Sequence, residues 1–288
     1  MNKEKYYSFV AFCLRWHQLY GRHDLPWRKT IDPYAILVSE LMLQQTQVAR
    51  VIPKFHQFME RFPSLEKLSL ASLPDVLVLW QGLGYNRRAR YLWQLANLLT
   101  SRNQHTLPHT LSELESLPGI GPYTAAAVMA FAYNQPALVI ETNVRSVVLY
   151  HFFPNQDKVS DAHLRPILEA CLPLVEPRLW YAALMDYGSY LKSVIPNPSR
   201  KSKHHAVQSR FIGSVRQVRG EIVRVLSRRL GYQGDYDEIK QLMSGNTEYF
   251  ELAVDQLCHE QLIYRNGSLL ILGEEKSNLS VKNNPVIL

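Results

Sequence analysis

The sequence predicts a mainly α-helical body followed by a small C-terminal module of helices and strands. Apolar residues recur with helical spacing through most of residues 1–195, and few segments there alternate with a period of two. Proline, glycine, asparagine and serine separate these segments at short intervals, which favours consecutive helices with short connections. The chain has 288 residues, of which 47% are hydrophobic and 20% charged, and this composition excludes a disordered or collagen-like protein.

Eight segments of the body have helical spacing. They cover residues 6–20, 35–62 with a break at Pro53, 73–79, 87–99, 111–115, 123–132, 143–152 and 161–172. The longest charge-free stretch, residues 123–140, is interrupted by Asn134, Gln135 and Pro136, so it predicts a buried helix that runs into a loop and not a membrane span. The N-terminus is charged and then amphipathic, so we expect no signal peptide.

The composition changes at residues 196–205, PNPSRKSKHH, which are basic and contain almost no apolar side chains. This pattern is typical both of a solvated linker and of a loop that contacts phosphates. Three helical segments follow, at residues 217–230, 236–243 and 249–261, and an Asn-Gly pair at 266–267 then separates two apolar runs, which indicates a hairpin. Three helices followed by a hairpin is the order of a winged helix-turn-helix.

These observations divide the chain into four parts. They are a helical body at residues 1–195, a basic linker or contacting loop at 196–214, a winged-helix-like module at 215–273 and a flexible tail at 274–288. The body is long enough to bury a sizeable core of its own, whereas the module is small. No internal repeat is visible.

Charge and cysteine content narrow the class of protein. The 32 lysines and arginines exceed the 25 acidic residues, and the net charge of +7 favours a polyanionic partner, although such an excess is common. Cys13, Cys171 and Cys258 are odd in number and far apart, which argues against a disulfide framework and for a reducing, cytoplasmic compartment. They cannot form a metal-binding cysteine cluster unless distant segments converge.

A glycine turn enters the helical segment that begins at residue 123. Gly119 and Gly121 flank one small apolar residue, and the turn leaves backbone N–H groups uncovered at a helix start, where they and the helix dipole favour an anion such as a phosphate. With the short helix at residues 111–115, this predicts a helix–hairpin–helix. On this motif alone, a plain tight turn between two helices stays the alternative.

Four sequence blocks carry a resemblance to a known family. Residues 117–147, LPGIGPYTAAAVMAFAYNQPALVIETNVRSV, resemble the helix–hairpin–helix and catalytic loop of the endonuclease III/MutY superfamily of DNA glycosylases. LPWR at 25–28, PYAILVSELMLQQTQV at 33–48 and LWQGLGY at 79–85 resemble the MutY branch in particular. The blocks occur in family order and cover roughly residues 6–195.

The resemblance implies a helix-hairpin-helix DNA glycosylase fold and removal of a mispaired or damaged base in base-excision repair. Adenine, mispaired with guanine or 8-oxoguanine, is the first expectation. Hypoxanthine and mismatched thymine stay open as substrates, because the blocks indicate the branch more than the base. A non-catalytic DNA binder that senses lesions stays open as a different class of function.

Two glutamates are the candidate catalytic carboxylates. Glu40 lies on an apolar helix face, where burial would raise its pKa and make it a proton donor near neutral pH. The resemblance implies that it protonates the leaving purine at N7; an ordinary salt-bridged glutamate is the alternative. Glu141 stands where the family has an aspartate that stabilises the sugar cation. Its extra methylene adds roughly 1.5 Å of reach, so both a working and a weakened or altered site stay open.

Five further residues receive roles from the resemblance. Tyr123 occupies the position of the lysine nucleophile of bifunctional enzymes, and because tyrosine cannot form a Schiff base, the reaction should leave an abasic site without strand cleavage by that route. Asn143 resembles an asparagine that assists near the sugar. Gln44 and Gln45 resemble residues that probe the duplex around the extruded base, and Tyr85 resembles an aromatic wedge. For these last three, simple core packing is the alternative.

Besides Glu141, two larger departures from the family concern the C-terminal part of the chain. The four cysteines that ligate an iron–sulfur cluster in the family are missing, so we expect no cluster and no other cofactor, with a monovalent cation at the hairpin left open. Arg200, Lys201 and Lys203 of the basic loop would take over phosphate contacts. A winged-helix-like module also replaces the family's NUDIX-like domain, which leaves the opposite-base preference open. We expect duplex DNA as the partner, a monomer, and no membrane association.

Overall fold

The computed structural model of the chain describes residues 3–172, 175–207, 210–243 and 247–275. The described residues are mainly helical with one small sheet, which confirms the predicted fold class. The helices are α1 (Lys3–Tyr20), α2 (Pro33–Leu43), α3 (Val48–Arg61), α4 (Leu65–Ser69), α5 (Leu73–Trp80), α6 (Arg87–Ser101), α7 (Leu111–Glu115), α8 (Pro122–Phe131), α9 (Thr142–Phe152), α10 (Asp161–Cys171), α11 (Pro177–Val194), α12 (Val215–Leu226), α13 (Tyr236–Gln241) and α14 (Phe250–His259). The strands are β1 (Gln233–Asp235), β2 (Ile263–Asn266) and β3 (Leu269–Leu272). Across the described ranges, every helix is too short or too polar to cross a membrane.

The chain forms two compact units. The first contains Met1–Leu68 and Gln94–Gln208, and the second contains Ser69–Trp93 and Ser209–Leu288. The second unit therefore includes α5 and the beginning of α6, which the sequence-based boundaries place in the body. Those boundaries stay a prediction, and most of the tail predicted at residues 274–288 lies outside the described residues.

Helices α2 and α8 pack against each other in the first unit. Asp32 caps α2 by accepting hydrogen bonds from the backbone N–H groups of Tyr34 and Ala35 at 3.1 and 3.2 Å. Nearly every residue of α2 is buried, and α8 is buried from Thr124 to Ala130, a stretch rich in alanine that lets the two helices approach closely. This packing places the second half of α2 beside the first turn of α8.

The break predicted at Pro53 is wrong, because Pro53 lies inside α3. The helical stretch is interrupted instead at residues 44–47, where Gln45 has a φ of 54°. A left-handed backbone conformation cannot continue a right-handed helix, so α2 ends there and α3 begins at Val48. The turn between α2 and α3 therefore presents a run of glutamines.

In the second unit, the predicted order of three helices and a hairpin is present as α12, α13, α14 and the pair β2–β3. The strands are antiparallel in the order β1-β3-β2, and Gly267 has a φ of 60° in the turn that joins β2 to β3. Strand β1 lies between α12 and α13 and was not predicted. Helix α12 packs against α14 and β3. The assignment of this module to the winged-helix class stays a prediction.

Candidate active site

A cavity of about 1010 Å³ opens in the first unit. Its walls come from α2, the turn after it, and the beginnings of α8 and α9, together with residues of α11. Six of the residues singled out from the sequence line it: Glu40, Gln44, Gln45, Tyr123, Glu141 and Asn143. The fold therefore brings together residues that are up to 103 positions apart in the chain.

Glu40 lies in the second half of α2 and is 5% exposed. Its Oε2 accepts a hydrogen bond of 2.9 Å from the hydroxyl of Tyr123. It forms no ion pair with any described residue, so the salt-bridged alternative does not describe it. Burial raises the pKa of Glu40 to about 7; the charge of Glu141 acts in the same direction, and the Tyr123 hydrogen bond opposes the rise. A carboxyl group with such a raised pKa is able to hold a proton at neutral pH.

Glu141 immediately precedes α9 and is its N-cap residue. Its Oε1 accepts hydrogen bonds from the backbone N–H groups of Asn143 and Val144 at 2.6 and 2.9 Å. The pKa of Glu141 is raised above its ordinary value, because burial outweighs the opposing effects of the Val144 N–H group, the charge of Lys192 and the Asn143 donors. These donors and the positive end of the helix dipole favour the ionised form.

Tyr123 and Asn143 connect to the two carboxylates. The hydroxyl of Tyr123 donates to Glu40, and burial with the charges of Glu40 and Glu141 raises the pKa of Tyr123 well above its ordinary value, so it stays a neutral donor. Asn143 donates from Nδ2 to Glu141 Oε2 at 3.0 Å. Its Oδ1 is buried without a hydrogen-bond partner among the described residues, and a ligand in the cavity would supply a donor.

Gln44 and Gln45 form the end of α2 and the turn after it. Gln44 Nε2 donates to the hydroxyl oxygen of Thr124 at 3.2 Å, which joins this turn to α8. Gln45 adopts the left-handed conformation described above, so its side chain leaves the helical path. Both residues line the cavity rather than the core, which is the location expected of residues that contact a bound molecule.

The glycine turn has the predicted helix–hairpin–helix form, with α7 and α8 packed against each other. Gly119 has a φ of 74°, a conformation that glycine adopts without strain. Gly121 is the N-cap of α8 and supplies no side chain to the first N–H groups of the helix. A Cβ built on Gly121 would meet no atom within 4 Å, so the helix start is open. The turn therefore leaves donors accessible for an anion.

The basic loop follows α11. Residues 198–201 form one 3-10 turn, capped by Asn197 Oδ1, which accepts from the Ser199 N–H group at 3.0 Å. The backbone of Lys201 and Lys203 pairs with Val159, with N–O distances of 2.9 and 2.8 Å. Arg200 and Lys203 are exposed, whereas Lys201 donates to the carbonyl of Pro154. The backbone of this loop is therefore anchored to Val159.

Tyr85 belongs to the second unit and lies in the loop between α5 and α6. It has a φ of 47° and is 36% exposed, so the residue is not buried in the core. Gly84, with a φ of 69°, precedes it. Two consecutive residues in the left-handed region make a sharp turn that projects the tyrosine from the loop.

Sequence reasoning missed two features of the first unit. Lys192 lines the cavity from α11, and its charge lowers the pKa of Glu141. Asp186, with a side chain 1% exposed, accepts from Arg22 Nε at 2.6 Å and from Arg28 Nη2 at 2.9 Å. This ion pair network fixes the LPWR segment to α11.

The cysteines that would hold the family's cluster are missing from the basic loop and the residues after it, and the absence of a cluster stays a prediction. Residues 196–211 contain no cysteine, and the loop there is closed by backbone pairing and side-chain caps instead. Cys13 and Cys171 are buried, and burial raises the pKa of the Cys171 thiol to about 12. No group of three histidine, cysteine, aspartate or glutamate side chains suited to a metal ion occurs in the described part of the chain.

The sequence of this chain is similar to characterised proteins. The family model of the HhH-GPD superfamily of base excision DNA repair proteins matches residues 38–171. The chain is 34% identical over 230 residues to an adenine DNA glycosylase of Mycolicibacterium smegmatis, covering 74% of this chain and 78% of that protein. It is 35% identical over 184 residues to an adenine DNA glycosylase of Buchnera aphidicola subsp. Baizongia pistaciae, covering 64% of this chain and 52% of that one. The chain thus spans about half the length of the Buchnera relatives it matches.

The structure is also similar to solved proteins. A thermostable thymine-DNA glycosylase superposes with a TM-score of 0.59 and 26% identity, over 69% of this chain and 91% of that one. A non-covalent endonuclease III–DNA complex superposes with a TM-score of 0.52 and 17% identity, over 66% and 86% of the two chains. At that identity the second similarity concerns the fold alone.

Proposed function

Because this chain belongs to the MutY-like adenine DNA glycosylases of the endonuclease III (HhH-GPD) superfamily, we propose that it excises a mispaired adenine from duplex DNA. One observation carries the proposal. Glu40, with a pKa near neutrality, and Glu141, held by three N–H donors, line the same cavity. A protonated and an ionised carboxyl group are the pair that cleavage of a glycosidic bond requires.

Glu40 is the proton donor in this proposal. Tyr123 holds Oε2, which leaves Oε1 to present the proton to a nitrogen of the extruded base. Protonation converts the base into a neutral leaving group and draws electrons out of the glycosidic bond. The pKa of about 7 gives an acid that is both populated and strong enough at neutral pH.

Glu141 stabilises the positive charge that develops on the sugar. Its N–H donors hold the carboxylate in place before the reaction, so little reorganisation is needed when the charge appears. The glutamate is seated as the N-cap of α9, and the cap accommodates its longer side chain. This seating supports a working site rather than a weakened one.

The remaining predicted residues bind the DNA. The open N–H groups at Gly119 and Gly121 and the cations of the basic loop contact phosphates. Gln44 and Gln45 contact the strands around the extruded base, and Tyr85 enters the base stack. Tyr123 cannot form a Schiff base, so the product is an abasic site with an intact strand.

The experiment is a panel of labelled duplexes containing A opposite 8-oxoguanine, A·G, hypoxanthine and T·G. Each is incubated with the protein and then split into samples with and without alkali. We expect alkali-dependent cleavage at adenine. T·G is included because one structural relative is a thymine-DNA glycosylase. Binding without an alkali-labile site on any duplex would contradict the proposal and favour a lesion-sensing DNA binder.

A further inference from the structure

Four side chains of the second unit form a cluster around the Tyr85 ring, which we call the Tyr85 cluster: Tyr85, Arg88, Phe211 and Arg216. Arg216 Nη1 donates a hydrogen bond of 2.7 Å to the Tyr85 hydroxyl. The guanidinium carbon of Arg216 lies 5.7 Å from the centroid of the Tyr85 ring and 5.4 Å from that of Phe211. The guanidinium of Arg88 lies 5.5 Å from the same tyrosine ring.

The two sides of this cluster come from distant parts of the chain. Arg88 is at the start of α6 and binds the loop itself, donating to the carbonyls of Leu83 and Gly84 at 3.1 and 2.9 Å. Arg216 is in the first turn of α12, 131 residues after Tyr85. Arg88 therefore fixes the backbone of the loop, whereas Arg216 reaches the end of the ring.

Helix α12 is anchored to the segment that carries the loop. Gln81, which directly follows α5, donates to the hydroxyl of Ser227, which directly follows α12. Tyr232 donates to Asp75 of α5 at 2.8 Å. These contacts lie at the other end of α12 from Arg216, so the helix is held along its length and Arg216 has a defined position.

A half-exposed tyrosine on a sharp turn samples several rotamers unless something holds it. Immobilising a side chain on binding has an entropic cost, and a charge-assisted hydrogen bond with a cation–π contact removes part of that cost before binding. Arg216 supplies both to the same ring. The Tyr85 cluster is thus ordered before any DNA arrives.

We propose that Arg216 is a positioning residue that holds Tyr85 for insertion into duplex DNA. The C-terminal module then takes part in base extrusion through α12 and does not act only as a separate DNA-binding part. The inference deepens the proposed function and rests on its assignment of Tyr85 to the base stack. It concerns the extrusion step, whereas the carboxylates concern bond cleavage.

A double-mutant cycle with a stacking probe tests it. Full-length protein is added to saturation to a duplex with 2-aminopurine beside the mispaired adenine, and the rise in fluorescence reports interruption of the stack. The variants are Arg216→Ala, Arg216→Lys, Tyr85→Ala and the double Ala variant. Arg224→Ala is the matched control, since Arg224 is an exposed arginine of the same helix. Single-turnover excision at saturating protein is measured in parallel.

We expect Arg216→Ala to remove most of the fluorescence rise and to slow excision about tenfold, a scale consistent with loss of alignment. Arg216→Lys keeps the charge but lacks the planar guanidinium, so its fluorescence rise and excision rate should lie between those of the unmodified protein and of Arg216→Ala. In the Tyr85→Ala background, Arg216→Ala should change nothing further, because coupled residues are non-additive. Arg224→Ala should leave both readings at saturation unchanged.

The inference would be overturned if Arg216→Ala had equal effects with and without Tyr85, or if Arg224→Ala caused an equal loss. Either result would show that Arg216 acts through its charge on the DNA phosphates. Thermal unfolding checks the fold, and if Arg216→Ala is unstable, Arg216→Lys with Tyr85→Phe completes the cycle. A normal fluorescence pattern without excision of any base would instead contradict the proposed function alone. Normal excision with unaltered fluorescence in Arg216→Ala would contradict the inference alone.

Discussion

The two carboxylates of the cavity are the same residue type in opposite surroundings. Glu40 lies within α2 and receives one hydrogen bond, from a phenol, while the charge of Glu141 raises its pKa further. Glu141 lies at the start of α9 and receives three N–H donors and the field of Lys192. Burial raises the pKa of both groups, but only at Glu141 do several donors favour the charge. The difference teaches that, in the proposed mechanism, the number of donors and not the residue type distinguishes the acid from the anion.

The largest effect on the excision rate is expected for Glu40, the proposed proton donor. Glu40→Gln keeps the shape and removes the proton, so single-turnover excision should fall by about 10²–10⁴-fold, the range typical of general acids. In the unmodified protein the rate should fall as pH rises through about 7, since Glu40 loses its proton there. The rate of the Glu40→Gln variant should not show this fall with rising pH. Glu60→Gln, at an exposed site of α3, is the control.

The excision rate should respond almost as strongly to substitution of Glu141, the proposed anion. Glu141→Gln should lower the single-turnover rate by about a hundredfold or more while DNA binding persists, because one preorganised electrostatic partner is removed. Glu141→Asp tests the seating: if the cap geometry of α9 suits only the longer side chain, the aspartate should be slower, and a family-like backbone would make it equal or faster. A wild-type rate in Glu141→Gln beside an inactive Glu40→Gln would show that another group supports the cation.

Sequence patterns indicated the surroundings of Glu40 better than those of Glu141. A charge on the apolar face of α2 already indicates burial and a raised pKa, and the structure has both for Glu40. The LPWR and GLGY blocks were visible as well. The contact of Lys192 with the cavity and the contacts of Arg216 with the Tyr85 ring were not visible, because they join segments separated by 51 and 131 residues. Helical periodicity reports which face is buried, and it carries no information on which partner covers it.

A substitution at Gly188 of α11 should disturb the position of Glu141 and leave Glu40 unaffected. A Cβ built there would overlap the backbone carbonyl of Asn143, so α9 and α11 can pack closely only around a glycine. Gly188→Ala should displace the start of α9 and reduce the excision rate about tenfold, since small displacements of a reacting group are costly. The pH dependence from Glu40 should persist. Gly220→Ala, in the other unit, is the control because a Cβ there meets no atom within 4 Å.

Lys192 should give a smaller effect with a distinct pH signature. Lys192→Met removes the cation that lowers the pKa of Glu141, so that pKa should rise. Excision should then fall by a few-fold, an order of magnitude consistent with one screened charge pair, with the greatest loss at acidic pH, where Glu141 becomes protonated. Lys67→Met, an exposed lysine of α4, controls for net charge. A uniform loss at every pH would indicate that Lys192 contacts the DNA instead.

The basic loop should change binding and leave the carboxylate pair untouched. Replacing Arg200, Lys201 and Lys203 by Ala should weaken binding to all duplexes and reduce the slope of log K against log salt by up to about three charges' worth, because each phosphate contact releases counterions. Lys201 already donates to a backbone carbonyl, so the single Lys201→Ala variant should contribute least. The single-turnover rate at saturating protein should stay the same, since neither Glu40 nor Glu141 is altered. An unchanged salt slope would assign the loop to a linker, and a lower rate at saturation would show that the loop also shapes the cavity.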